Sequence, residues 1–205
     1  MTKRRLIIFT RNPELGKVKS RLAKTIGDTA ALEIFKFLIN HTQKITSEVA
    51  ADRIVYYSDF ISEDDQWTRD RYEKSLQVGA DLGERMRNAF EDSFKAGYSE
   101  VIIIGTDMYD LNTDDINSAF EALTAHPYVI GPATDGGYYL LGMTSSEKDL
   151  FSDIDWGTET VYDKTLKKIG NVPTKILPER NDIDYFEDIK DEAVFHPFIN
   201  HVKVG

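Results

Sequence analysis

Four short runs of apolar residues, largely β-branched or aromatic, punctuate this sequence at 5–10, 53–58, 101–105 and 127–131. They lack the polar alternation of a half-exposed strand. Strands of this kind are buried on both faces, as in a parallel sheet covered by helices on each side. The intervals supply the helices. Ala31, Ile34, Phe35, Leu38 and Ile39 recur at helical spacing, as do Leu82, Met86, Ala89, Phe90 and Phe94, and Ile116, Ala119, Phe120 and Leu123. Asp81 with Glu84 reads as a capping box, and Asn112-Thr113 ahead of Asp114 and Asp115 as a helix start. Strands alternating with helices predict an α/β fold. After about residue 132 the pattern turns Gly-rich, aromatic and irregular, and this part is expected to shape a substrate pocket.

The 205 residues contain no linker, repeat or low-complexity tract, so the expectation is one domain over 1–205. A chain of this length holds a core without covalent staples. With no cysteine, disulfides, thiolate zinc sites and a Cys nucleophile are excluded. The runs Leu6–Phe9 and Val101–Ile104 are far shorter than a membrane span, and Lys3-Arg4-Arg5 precedes too short an apolar stretch for a signal peptide. A soluble, cytoplasmic protein is expected. A net charge of −10 argues against nucleic-acid or anionic-membrane partners. The charge is uneven, however: residues 1–25 carry eight bases and one acid, and the remainder carries 17 bases and 34 acids. A basic knot in an acidic chain suits a small polyanion such as a di- or triphosphate, or is a solvated basic surface.

Ligands of open α/β sheets bind beyond the carboxyl ends of the strands. The first run leads into Arg11, Gly16, Lys17, Lys19 and Arg21, where backbone N–H groups and cations could neutralise phosphate oxygens, although a surface basic turn has the same composition. Neither a Walker A loop nor Gly-x-Gly-x-x-Gly occurs. Asp107, directly behind Val101–Ile104, is placed either to hold Mg²⁺ or Mn²⁺ or to cap the helix near Asn112. Asp182-Ile183-Asp184 is a second acidic cluster, or the start of a helix over 185–190. The four histidines, at 41, 126, 196 and 201, show no zinc spacing, and the last two are expected at the surface.

Six motifs in order carry a resemblance: Arg11 to Ala23 of the basic loop, Gln77 to Met86, Gly105-Thr106-Asp107, Gly131 to Gly142, Trp156-Gly157-Thr158 and Asp182-Ile183-Asp184. Together they resemble a bacterial family of GT-A-fold nucleotide-diphospho-sugar transferases, related to molybdenum-cofactor guanylyltransferase and phospholactate guanylyltransferase. The resemblance implies a three-layer α/β/α GT-A fold with a mostly parallel sheet, residues 1–131 forming a nucleotide-binding half and 132–205 an acceptor half. It implies that Arg11, Gly16, Lys17, Lys19 and Arg21 wrap the phosphates, and that Gln77 and Gly83 lie near the nucleobase. Asp107 and Asp184, the latter chosen over Asp182, would hold Mg²⁺ or Mn²⁺. Asp135, Gly136, Gly137, Tyr138 and Trp156 would line the sugar or acceptor side, with Lys17 and Asp135 the candidate catalytic residues. Asp135 is equally good turn chemistry, and Trp156 and Tyr138-Tyr139 could serve packing alone. Met108-Tyr109 stand where relatives often have Cys-Pro, and Ser20 and Tyr185 where a Thr is usual. The expected partners are a nucleotide or nucleotide sugar and a small-molecule acceptor; no feature specifies a homo-oligomer. Glycosyl transfer, nucleotidyl transfer with release of pyrophosphate, and a non-catalytic nucleotide sensor all fit these residues.

Overall fold

The computed structural model describes residues 3–202; the first two and last three residues of the expected 1–205 range lie outside it. In chain order the elements are β1 (Arg4–Thr10), α1 (Ser20–Ile26), α2 (Asp28–Ser47), β2 (Asp52–Tyr57), β3 (Glu73–Leu76), α3 (Leu82–Lys95), β4 (Glu100–Ile104), α4 (Thr113–Leu123), β5 (Tyr128–Pro132), β6 (Tyr138–Met143), α5 (Val161–Ile169), β7 (Thr174–Ile176) and α6 (His196–Ile199). The strands form one seven-stranded sheet in the order β3-β2-β1-β4-β6-β5-β7. All neighbours are parallel except β6, which runs antiparallel to β4 and β5.

Successive residues of the central strands point to opposite faces, so the continuous apolar runs feed two cores. Leu6, Ile8, Ile102 and Ile104 pack with Phe35 and Ile39 of α2 and Ile116 and Phe120 of α4. Ile7, Val101 and Ile103 pack with Met86 and Phe90 of α3 and Ile169 of α5 on the other side. This is the expected three-layer α/β arrangement. A third cluster joins Leu22, Ile26, Ile34 and Leu38 to Ile183, Ile189 and Phe195, and so fastens the C-terminal segment to α1 and α2.

The structure corrects several details. The stretch after residue 132 is not irregular: Tyr138–Met143 form β6, buried in the middle of the sheet. Residues 185–190 form no α-helix, only a 3₁₀ turn over Phe186–Asp188. The helix near Asn112 is capped by Asn112 itself, whose side chain accepts from Asp115 N at 3.0 Å while Asp115 accepts from Asn112 N at 3.1 Å. Asp107 is thereby released from a capping role. Asp81 caps α3 through Glu84 N, but Glu84 reaches back to Ala80 N rather than to Asp81. His196 and His201 are both exposed as expected, and the His201 ring lies 2.9 Å from the Ile26 carbonyl.

Candidate active site

The carboxyl ends of β1, β2 and β4, the residue after β3, and the start of β6 surround a cleft of about 880 Å³. The loop after β1 forms one wall. Asn12 sets its course: the side chain is buried, donates to Phe60 O at 2.9 Å and accepts from Asp59 N at 3.1 Å, tying this loop to the one after β2. The chain then turns at Gly16, where φ is +74°. Lys17 stands out in solvent, paired with Glu14 at 2.8 Å. Lys19 is different. Its side chain is 5% exposed, its ammonium lies 2.8 Å from Asp107 Oδ1, and its backbone is left-handed at φ 48°, an uncommon state for a side chain of this size. Arg21, in α1, pairs with Asp184 Oδ2 at 2.6 Å and lies over the Tyr185 ring. Arg11 lines the same wall and is exposed.

The facing wall is acidic. Asp107 leaves the end of β4, and its carbonyl accepts from Ile183 N at 3.1 Å, which brings the C-terminal segment onto the strand end. Ile183 is buried in the third cluster, so its neighbours Asp182 and Asp184 are turned to the cleft. Asp188 fixes the segment by accepting from both Asp184 N and Tyr185 N. Residues 133–134 pair with Arg180, whose guanidinium is held by Asp110 and Asp115, and this places Asp135 near Asp182. Burial, then the charges of Asp135, Asp107 and Asp184, opposed by Lys19, push the Asp182 carboxyl up to about 6. Asp135 itself makes the turn its sequence predicts, accepting from Gly137 N at 2.8 Å, yet it lines the cleft.

Aromatic and amide groups close the remaining sides. The Gln77 side-chain NH₂ donates to the carbonyls of Thr10 and Tyr56, 3.1 Å each, so its donors bind the ends of β1 and β2 rather than a ligand. Beside it Arg85 reaches into the cleft from α3, with Nε donating to Gly79 O. Tyr138 and Trp156 meet edge to face. Trp156 also lies on α3 where Gly83 has no side chain; a Cβ there would fall 2.2 Å from the indole nitrogen.

Eleven of the sequence-predicted residues therefore share one cleft: Arg11, Lys17, Lys19, Arg21, Gln77, Asp107, Asp135, Gly137, Tyr138, Trp156 and Asp184. Gly16, Gly83 and Gly136 do not line it. Gly16 makes the turn behind the basic wall, Gly83 receives Trp156, and Gly136, at φ +85°, lies under the backbone of Glu159. Asn12, Asp59, Arg85 and Asp182 also line the cleft and were not among the predicted site residues. Asp59 and Asn12 directly follow strands, the positional signal that selected Asp107.

The donor set fits a hard divalent cation. Such ions use one or two carboxylates and complete their shell with water and phosphate oxygens. Among the described residues no trio of His, Cys, Asp and Glu closes on one point. Asp107, Asp182 and Asp184 nonetheless line one cleft, and burial first, then the neighbouring carboxylates, push Asp182 up.

The family described as "Uncharacterized protein conserved in bacteria (DUF2064)" matches residues 41–158, more than half of the sequence. The chain belongs to this family. The DUF2064 match takes in Gln77, Arg85, Asp107, Asp135 and Trp156, while the basic loop and Asp182–Asp184 lie outside it. Among solved structures, one from Desulfovibrio desulfuricans G20 described as a "putative nucleotide-diphospho-sugar transferase" is 27% identical, with a TM-score of 0.85 over 98% of this chain and 95% of its own. CMP:2-keto-3-deoxy-manno-octonic acid synthetase, complexed with CTP, superposes at TM-score 0.60 with 12% identity, covering 98% and 100% of the two chains. Rv0371c of Mycobacterium tuberculosis H37Rv, complexed with manganese, gives 0.57, 12%, 98% and 100%. The last two likenesses are of fold alone. No curated protein matches this DUF2064 chain in sequence.

Proposed function

We propose that this protein is a divalent-metal-dependent transferase acting on a nucleotide sugar, moving the glycosyl group to a small acceptor. The observation that carries the reading is one cleft in which a basic loop, Arg11 to Arg21, faces the carboxylates Asp107, Asp135, Asp182 and Asp184. The likeness to the D. desulfuricans structure supports it. Residues 1–131 form the nucleotide half and 132–205 the acceptor half of one GT-A-like unit. Arg11 and Lys17 donate to the diphosphate, joined by Lys19 and Arg21. Asp107 and Asp184 hold Mg²⁺ or Mn²⁺, with Asp182 adding charge; when bound, the metal stabilises negative charge on the departing nucleoside diphosphate. Asp135 accepts the proton of the acceptor hydroxyl, and Tyr138 and Trp156 exclude water from that side. Gln77 positions the ends of β1 and β2.

The likeness in fold to a CTP-bound synthetase favours a second reading, nucleotidyl transfer, in which a substrate phosphate attacks the α-phosphorus of a triphosphate and pyrophosphate leaves. Thermal melting with nucleotide sugars, diphosphates and triphosphates, each with Mn²⁺ and with chelator, separates the two. A ligand at about 100 times its Kd adds ~2.7 kcal/mol, which raises Tm by about 5–10 °C. A Mn²⁺-dependent shift with nucleotide sugars, followed by release of nucleoside diphosphate, is the expected outcome. A shift confined to triphosphates with release of pyrophosphate selects the second reading, and the absence of any shift overturns both.

A further inference from the structure

Two of the cations assigned above to the diphosphate are already engaged. Lys19 is 2.8 Å from Asp107, and Arg21 is 2.6 Å from Asp184, so each phosphate-side cation is engaged by one of the carboxylates assigned above to the metal. We infer that these two ion pairs form a lock that weakens the binding of either ligand alone to the ligand-free cleft. Metal and polyphosphate then open it together, by exchanging Lys19–Asp107 and Arg21–Asp184 for metal–carboxylate and cation–phosphate contacts. The inference rests on the metal assignment of the proposed function and adds that the two ligands of that site bind cooperatively.

Burial gives the lock its force. The Lys19 side chain is 5% exposed, whereas Asp107 remains 47% exposed. A metal that captures Asp107 alone strands a nearly buried ammonium without a partner, which is strongly unfavourable. A phosphate oxygen arriving at the same time supplies the missing charge. A polyphosphate arriving alone has the mirror difficulty, because drawing Lys19 and Arg21 away leaves Asp107 and Asp184 facing Asp182 and Asp135 with no counter-ion. Lys19 is also held in a left-handed backbone conformation at the start of α1, with its carbonyl accepting from Ala23 N at 2.8 Å. The conformation aims the side chain inward, whereas Lys17, two residues earlier, stands in solvent against Glu14. By linkage, whatever factor the metal adds to polyphosphate affinity the polyphosphate returns to the metal.

The lock predicts an effect opposite in sign for the two ligands. Lys19→Met and Arg21→Gln each free a metal carboxylate, so both tighten Mn²⁺ binding measured with Mn²⁺ alone, by about fivefold or more, while weakening nucleotide binding. Lys17→Met removes the same charge from the same loop without touching a cleft carboxylate, and leaves Mn²⁺ affinity within about twofold. The measurement is titration of the full chain followed by the electron paramagnetic resonance of free Mn²⁺, with melting curves verifying that each variant folds. Arg21 is half exposed, so its variant tests the lock even if Lys19→Met fails to fold. If Mn²⁺ binds the wild type and neither Lys19→Met nor Arg21→Gln tightens it, or Lys17→Met tightens it equally, the lock is overturned and the metal site stands. If no form binds Mn²⁺, with or without nucleotide, the metal assignment falls and the lock with it.

Discussion

Asp182 carries the most telling electrostatics of any single residue. Its carboxyl is pushed up to about 6 by burial and by neighbouring carboxylates, against an ordinary Asp value near 3.9. The protonated form thus favours the folded chain at low pH, and that contribution is lost as pH rises through 6. In metal-free protein, Asp182→Asn should therefore raise Tm at pH 8 and leave it nearly unchanged at pH 4. With the shift discounted for partial exposure, the gain is about 1 kcal/mol, or ~2–4 °C. A lower Tm at pH 8 would show that Asp182 is compensated by a partner. Placement in the cleft was legible where a residue follows a strand end, as at Asp107 and Arg11. It was not legible at Gln77, because nothing in spacing reveals that its amide hydrogens are consumed by the carbonyls of Thr10 and Tyr56.

Elements with an apolar signature were readable, and those without one were not. β1, β2, β4 and β5 are continuous buried runs, but β3 is Glu-Lys-Ser-Leu on a half-exposed edge and carries no periodic signal. β6 was hidden by the glycines around it, although Leu140, Leu141 and Met143 are fully buried. Gly136 shows why those glycines are there. The β5–β6 turn and the approach to α5 press together, with Tyr162 N donating to Gly136 O at 2.9 Å. A Cβ on Gly136 would lie 2.2 Å from Glu159 O, whereas one on Gly97, with nearly the same φ, meets nothing within 4 Å. Gly97→Ala thus measures the conformational cost alone, and Gly136→Ala adds the clash. Chemical denaturation should show Gly136→Ala less stable than Gly97→Ala by about 1–3 kcal/mol. Equal losses would mean that the α5 approach yields freely.

Across the whole molecule, a chain of net charge −10 carries an excess of bases over acids, eight against one, in its first 25 positions and folds part of that surplus into a single cleft wall. Most of the molecular surface therefore repels a polyanion that one loop attracts, and association should be steered and salt-sensitive. Arg11→Ala combined with Lys17→Ala should weaken nucleotide binding about tenfold and flatten its dependence on NaCl between 50 and 300 mM, values on the scale of the screening length. An unchanged salt slope in calorimetric titrations would return this loop to the role of a solvated surface turn. The direction of β6 has a mechanical corollary. Because it alone runs against its neighbours, it begins at the edge where β1, β2 and β4 end, and its first residues pass from the cleft directly into pairing with both β4 and β5. The cleft wall at Asp135–Tyr138 is thus anchored in the sheet at its far end, where Tyr138 pairs with Pro132 and Leu140 with Ile104, and its turn is held by Gly136 N donating to Ala133 O and Tyr162 N donating to Gly136 O. On the opposite bank Pro13, Leu15, Gly16 and Lys17 stand in solvent, so the two sides of the cleft differ in kind: one is rooted in the sheet, and the other is a surface loop.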